Sequence, residues 1–256
     1  MPASTKLQEK YGEDLQVIFV ECQNTPKDTY EAYAWKSKWM GNRSMWTAER
    51  PIPTKGSGIP EVALIGVDGE VILQGHPGEF GKKFEEAIAA EIKKAKEPPA
   101  GTPKELKKAW QLFLKGDVAG ALAECDLVGG DEAGGAKDKF VARTTARIAR
   151  AKWLIDSGYI VEAEKQLEAL EKAVKSDAEL APKIAEQKSR LASTELAQER
   201  EADEAFSRFV ADVAKKKPFE DANVKKAQQI ANKHKGTKAA VRAERFVALS
   251  KVRLEK

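Results

Sequence analysis

Cysteine and histidine are scarce in this chain, two of each in 256 residues. Cys22 and Cys125 stand far apart, and no Cys-x-x-Cys occurs anywhere. Thiol–disulfide exchange needs an attacking thiolate and a resolving thiol. A structural zinc site needs about four Cys or His ligands at short spacing. Neither set is present, so no metal or other cofactor is expected and no catalytic residue is assigned. Long apolar runs are also missing. None approaches the roughly 18 residues of a membrane-crossing helix, so no membrane span is expected. The first residues, Met1-Pro2-Ala3-Ser4-Thr5-Lys6-Leu7, lack the apolar core of a signal peptide. Charge of one sign does not dominate either. Lys and Arg number 44 against 40 Asp and Glu, a net charge of +4. That balance is not a nucleic-acid signature.

What is present divides into two halves. Residues 1–97 hold 13 basic and 15 acidic residues, a balance of −2, and the remainder holds 31 and 25, a balance of +6. The first half carries strand patterns. Gly58-Ile59-Pro60 leads into an apolar run that reaches Gly66, and Asp68-Gly69 separates it from a second run ending at Gly75. An Asp-Gly pair between such runs predicts a hairpin, because the tight turn needs residues that tolerate positive φ. Before it, residues 3–12 read as a short helix and 15–20 as a buried strand. Cys22 follows that strand as a small, partly buried residue. Asn24-Thr25-Pro26 caps a helix running to about Met40, with Tyr30, Ala34, Trp35 and Trp39 as its core stripe. Residues 41–58 read as an irregular loop holding Trp46. A helix over 79–96 carries Phe80, Phe84, Ile88 and Ile92 on one stripe, and His76 sits in the turn before it.

Gly-Ile-Pro, a strand, Asp-Gly and a second strand ending in Gly resemble the C-terminal half of a thioredoxin-like domain of the exported, TlpA-like branch. The resemblance covers residues 3–96. It implies that Pro60 is cis and that Gly58, Ile59 and Pro60 offer backbone groups to an extended protein chain by strand addition. Trp46, in the loop before that proline, becomes a contact candidate. The strand that opens such a domain, with its Trp-Cys-x-x-Cys, is absent. Two expectations follow. In one, this thioredoxin-like body is a non-catalytic scaffold. In the other, the chain is the body of an active thiol–disulfide oxidoreductase whose Cys-x-x-Cys lies upstream of Met1, which would place it in an exported, periplasmic setting.

Glu97-Pro98-Pro99-Ala100-Gly101-Thr102-Pro103 reads as a linker over 98–103. Beyond it, strand patterns vanish. Helices are expected over 103–115, 117–127, 137–157, 160–175, 177–199, 201–215, 221–234 and 237–254, with Gly129, Gly130, Gly134 and Gly135 in a loose loop. Leu114-Lys115-Gly116 precedes Ala121 as Asp156-Ser157-Gly158 precedes Ala163, an offset of 42 residues. This resembles the helix hairpin of tetratricopeptide repeats, whose period is about 34. Cys125 reads as core, His234 as a helix-end residue, and Lys215-Lys216-Lys217 as a solvated face.

The expected architecture is therefore an incomplete α/β thioredoxin-like N-terminal domain (1–97) and an all-α, helical-hairpin, TPR-like domain (104–256). The expected role is a protein-interaction scaffold of thiol–disulfide oxidoreductase ancestry. A protein partner is expected, and nucleic acid is not.

Overall fold

The computed structural model describes residues 2–40, 44–53, 60–175 and 177–253. They form two compact units, Met1–Gly101 and Thr102–Lys256.

The expected α/β thioredoxin-like domain joined to a separate all-α domain is corrected by the structure. Among the described residues the structure is 66% helical and only 6% strand, with 11 α-helices and two sheets of two strands each. In the first unit, α1 (Pro2–Tyr11), β1 (Phe19–Glu21), α2 (Lys27–Lys36), β2 (Ser44–Trp46), β3 (Val62–Ile65), β4 (Val71–Gly75) and α3 (Lys82–Ala95) follow in order. β1 pairs in parallel with β2, and β3 pairs antiparallel with β4. Among the described residues no strand joins the two ladders.

The strand expected over 15–20 shortens to β1 because a side chain takes its backbone partners. Buried Gln8 donates to the carbonyls of Gly12 (2.8 Å) and Leu15 and accepts the Val17 N–H at 2.6 Å. A backbone satisfied this way no longer needs a ladder. The hairpin forms where Asp68-Gly69 places it. Gly69 takes φ +87°, its N–H reaches Gly66 O at 3.0 Å, and a register shift falls between Leu64 and Ile65. With one ladder each, the sheets leave Ile18, Val20, Ile65 and Val67 exposed. The core around α2 is small: Tyr30, Ala34 and Trp39, with Phe19 stacked 4.1 Å from Trp39. α2 stops earlier than expected, at Lys36. Lys38 adopts φ +61° and Trp39 N–H closes on Ala34 O at 2.9 Å, which turns Trp39 back onto the helix.

The second unit is all helix: α4 (Lys107–Leu114), α5 (Val118–Val128), α6 (Gly130–Asp156), α7 (Ile160–Val174), α8 (Leu180–Leu191), α9 (Ala197–Val213), α10 (Asp221–Lys233) and α11 (Lys238–Leu249). Most of them pack on the next helix in sequence, and α7 and α9 also reach the next but one. A continuous core runs from Leu106 to Leu191 and includes Trp110, Cys125, Phe140, Leu167 and Ile184. Two connections share one geometry at the 42-residue offset. Gly116 and Gly158 have φ of +86° and +74°. Asp117 N–H bonds Leu112 O at 2.9 Å, as Tyr159 N–H bonds Leu154 O at 2.8 Å. Ala121 and Ala163 are wholly buried where the returning helix closes on its partner.

Two expectations for this unit are corrected. The glycine loop over 129–135 is helical from Gly130. Mid-helix Gly134 and Gly135 cost about 1 kcal/mol each, but Ala133, Ala136 and Phe140 bury on one face, and Asp131 and Glu132 sit favourably in the first turn. The single helix expected over 177–199 divides at Ser193, whose backbone is extended (φ −67°, ψ 152°). A Ser-Thr pair competes for backbone hydrogen bonds and favours such a break.

Candidate interaction surface

The residues singled out in the first unit do not assemble into one site. Gly58 and Ile59 lie outside the described residues, and the expected cis peptide between Ile59 and Pro60 with them. Pro60 is exposed in the bend before β3. Trp46 lies on β2, in the other ladder. Its ring is exposed, and its indole N–H donates to Thr25 O at 2.8 Å. β2 falls within 41–58, where the sequence pattern predicts an irregular loop. Only three residues long, it exists because it pairs with β1 and because Ser44 Oγ donates to Tyr30 Oη at 2.9 Å. His76 is exposed and accepts the Gly78 N–H on Nδ1 at 3.1 Å, a turn role.

The most fully built cluster lies in the second unit, around the connection between α6 and α7. Asp203 on α9 is buried, its side chain 3% exposed. One carboxylate oxygen accepts the Val161 N–H at 2.9 Å, capping the first turn of α7. The other accepts from Arg242 on α11 at 2.6 Å. Arg242 also donates to Gly158 O at 2.8 Å. Glu199 of α9 caps α11 by accepting the Lys238 N–H at 2.9 Å, and Lys238 Nζ donates to Asp156 O. Four side chains from two helices, α9 and α11, thus converge on one tight turn. The glycine there is sterically required: a Cβ on Gly158 would meet Glu199 Oε1 and Lys238 Cβ at 2.7 Å.

This lock positions an aromatic stack at the surface. The Arg242 guanidinium lies 4.3 Å from the Tyr159 ring centroid, and Trp153 stacks on Tyr159 at 6.0 Å with an interplanar angle of 20°. Phe206 flanks the guanidinium at 5.2 Å. Trp153 nevertheless remains 59% exposed and Tyr159 39%. Trp153 lies in the helix expected over 137–157, which does not by itself mark it as a surface residue. Its position opposite the buried face of α6 was legible from spacing. Its support from Arg242, 89 residues away, was not.

Cys125 is buried among α4–α7 side chains, and burial pushes its thiol up. Among the described residues no group of three or more His, Cys, Asp or Glu side chains is placed to hold a metal ion. No helix among them is long and apolar enough to cross a membrane. Compared with family models, with curated proteins and with solved structures, the chain matches none.

Proposed function

We propose that the chain is a protein-interaction scaffold and that its helical unit presents the Trp153–Tyr159–Arg242 stack to a protein partner. The observation that carries this reading is an exposed tryptophan held, through Tyr159, by a part-buried ion pair whose acid is fully enclosed. An exposed indole left in water is an unfavourable arrangement, yet Asp203 and Arg242 are committed to keeping Tyr159, and through it Trp153, in one place. Trp, Tyr and Arg are the residues that anchor protein interfaces, because they bury large area for little rotamer entropy. A preorganised anchor also lowers the ordering cost of association. Thiol–disulfide exchange is not part of this reading. Cys22 and Cys125 belong to different units.

The test is photocrosslinking in cells with p-benzoylphenylalanine at position 149, one turn from Trp153, and at Lys225 on α10 as control. A discrete adduct with another polypeptide is expected at 149, absent at 225 and lost on Trp153→Ala. No adduct at 149, or one indifferent to Trp153→Ala, sinks the reading.

A further inference from the structure

We infer that the exposed face of α6 is a docking site for an acidic amphipathic helix of another protein. The inference rests on the scaffold reading and names the chemistry of its partner. From Lys139 to Ile155 the sequence contains five cations (Lys139, Arg143, Arg147, Arg150 and Lys152) and no acid. In the structure Lys139, Arg143, Arg147 and Arg150, spaced 4, 4 and 3 residues apart, fall on one side of the helix, and all four are exposed. They form a row about 16 Å long. Elsewhere in this unit cations are commonly paired, as in Lys137–Asp126, Lys175–Asp117, Arg190–Asp156 and Lys226–Asp212. Among the described residues, Lys139, Arg147 and Arg150 have no hydrogen-bond or ion-pair partner, and Arg143 has only the Trp110 ring, 5.6 Å away. Lys152, off the row, is bound to Asp156.

Beside the row, Ala142, Ala146 and Ala149 lie exposed along the side of α6 turned away from its core, and Trp153 ends the strip. Small residues allow a second helix to approach closely. A strip of alanines closed by a tryptophan suits an apolar stripe, and the adjoining arginines suit carboxylates at the edge of that stripe. Arginine serves such contacts well, since its planar fork takes a carboxylate through two hydrogen bonds. The length also speaks for a short segment. On the same helix Asp131, Glu132 and Asp138 precede the row, so a long, uniformly charged polyanion would run against negative charge. An acidic helix of a few turns ends before meeting it.

The experiment measures fluorescence anisotropy of a labelled peptide of about 18 residues, long enough to span the row as a helix. It carries Leu on one helical stripe and Glu on the remainder. The same peptide with Lys for Glu, and a single-stranded RNA of similar length, serve as comparison probes. The full-length chain is used, with R143E/R147E/R150E and, as a control of equal charge change, K215E/K216E/K217E. The Glu/Leu peptide is expected to bind, to bind roughly tenfold more weakly to the Arg triple variant, and to lose affinity as salt rises from about 0.05 to about 0.5 M. The Lys-triple variant is expected to bind it as the parent chain does, and the Lys/Leu peptide is expected not to bind. Equal losses in the two triple variants overturn the inference, as does RNA bound as tightly as the peptide. Self-association of the parent chain by light scattering, abolished in the Arg triple variant, also overturns it by making a second copy the occupant. A crosslink at 149 with no peptide binding removes this inference and leaves the scaffold reading. Peptide binding with no crosslink removes the scaffold reading instead.

Discussion

Two connections that share one backbone differ in what surrounds their glycine. Gly116 and Gly158 both require positive φ, which costs a non-glycine residue about 1 kcal/mol or more. A Cβ on Gly116 meets nothing within 4 Å, whereas one on Gly158 collides with Lys238 and Glu199 at 2.7 Å. Gly158→Ala is therefore expected to lower the melting temperature clearly more than Gly116→Ala; equal losses would show that the turn is not clamped as described. Asp203 gives a second test at this scale. Its removal leaves the Val161 N–H without its acceptor and Arg242 without its carboxylate, with only Gly158 O still accepting from the guanidinium. Breaking a fully buried pair costs about 3–5 kcal/mol, and the partial exposure of Arg242 lowers that to about 2–4 kcal/mol here. Asp203→Ala is expected to reduce stability by that order in chemical denaturation. Asp203→Ala with Arg242→Met is expected to lose less than the sum of the single changes. Additive losses would deny the coupling that positions Trp153.

At the scale of elements, the two repeated connections also share an acid that a cation holds in place. Lys175 beside Asp117, helped by the Gly120 N–H, keeps its carboxyl below the ordinary aspartate value of 3.8. Arg190, with Lys152, does the same to Asp156. Groups depressed in the folded state add stability above their unfolded pKa and lose it as pH falls through the folded one. Acid should therefore weaken the helical unit progressively below about pH 4, more steeply in the parent than in Asp117→Asn with Asp156→Asn. Parallel acid limbs in both proteins would count against it. These elements also show what the sequence discloses. Gly116, Gly158, Ala121 and Ala163 announced their hairpins because a positive-φ turn and a close helix approach each admit few residue types. The Asp68-Gly69 hairpin was legible for the same reason. The fold class of the first unit was not. Gln8 capturing the backbone of 15–17 is a side-chain event with no periodic signature, and the three-residue β2 has too few positions to show alternation. Glycines at 134 and 135 hid the start of α6 because the burial of Ala133, Ala136 and Phe140 outweighs local propensity. Of the candidate surface, the exposed Trp153 was readable from helical spacing, but the Asp203–Arg242 support was not, since it joins helices far apart in sequence.

At the scale of the molecule, the two units differ in how much each can bury by itself. The helical unit has a core of large, fully buried side chains, among them Phe140, Leu167, Leu170, Ile184, Phe209 and Phe246. Among the described residues the first unit buries a few large side chains, Tyr30, Trp35, Trp39, Leu64 and Ile88, beneath single-ladder sheets that carry several exposed β-branched side chains. Local opening free energy follows buried apolar contacts and protected backbone bonds, and both favour the second unit. Amides of β1–β4 are expected to exchange with deuterium well before those of α7 and α9. A fragment spanning 102–256 is expected to keep the helical circular dichroism and the main thermal transition of the full chain. A fragment spanning 1–101 is expected to bind a dye that reports exposed apolar surface, because its strands offer Val20, Ile65 and Val71 to solvent. The fragment pair separates two accounts of the chain. If 102–256 unfolds without a cooperative transition, the core running from Leu106 to Leu191 is insufficient, and the Trp153 surface cannot be presented by the helical unit alone. If it melts as the full chain does, the helical unit folds by itself, and the Trp153 stack, the Asp203–Arg242 pair and the α6 cation row are all formed within it.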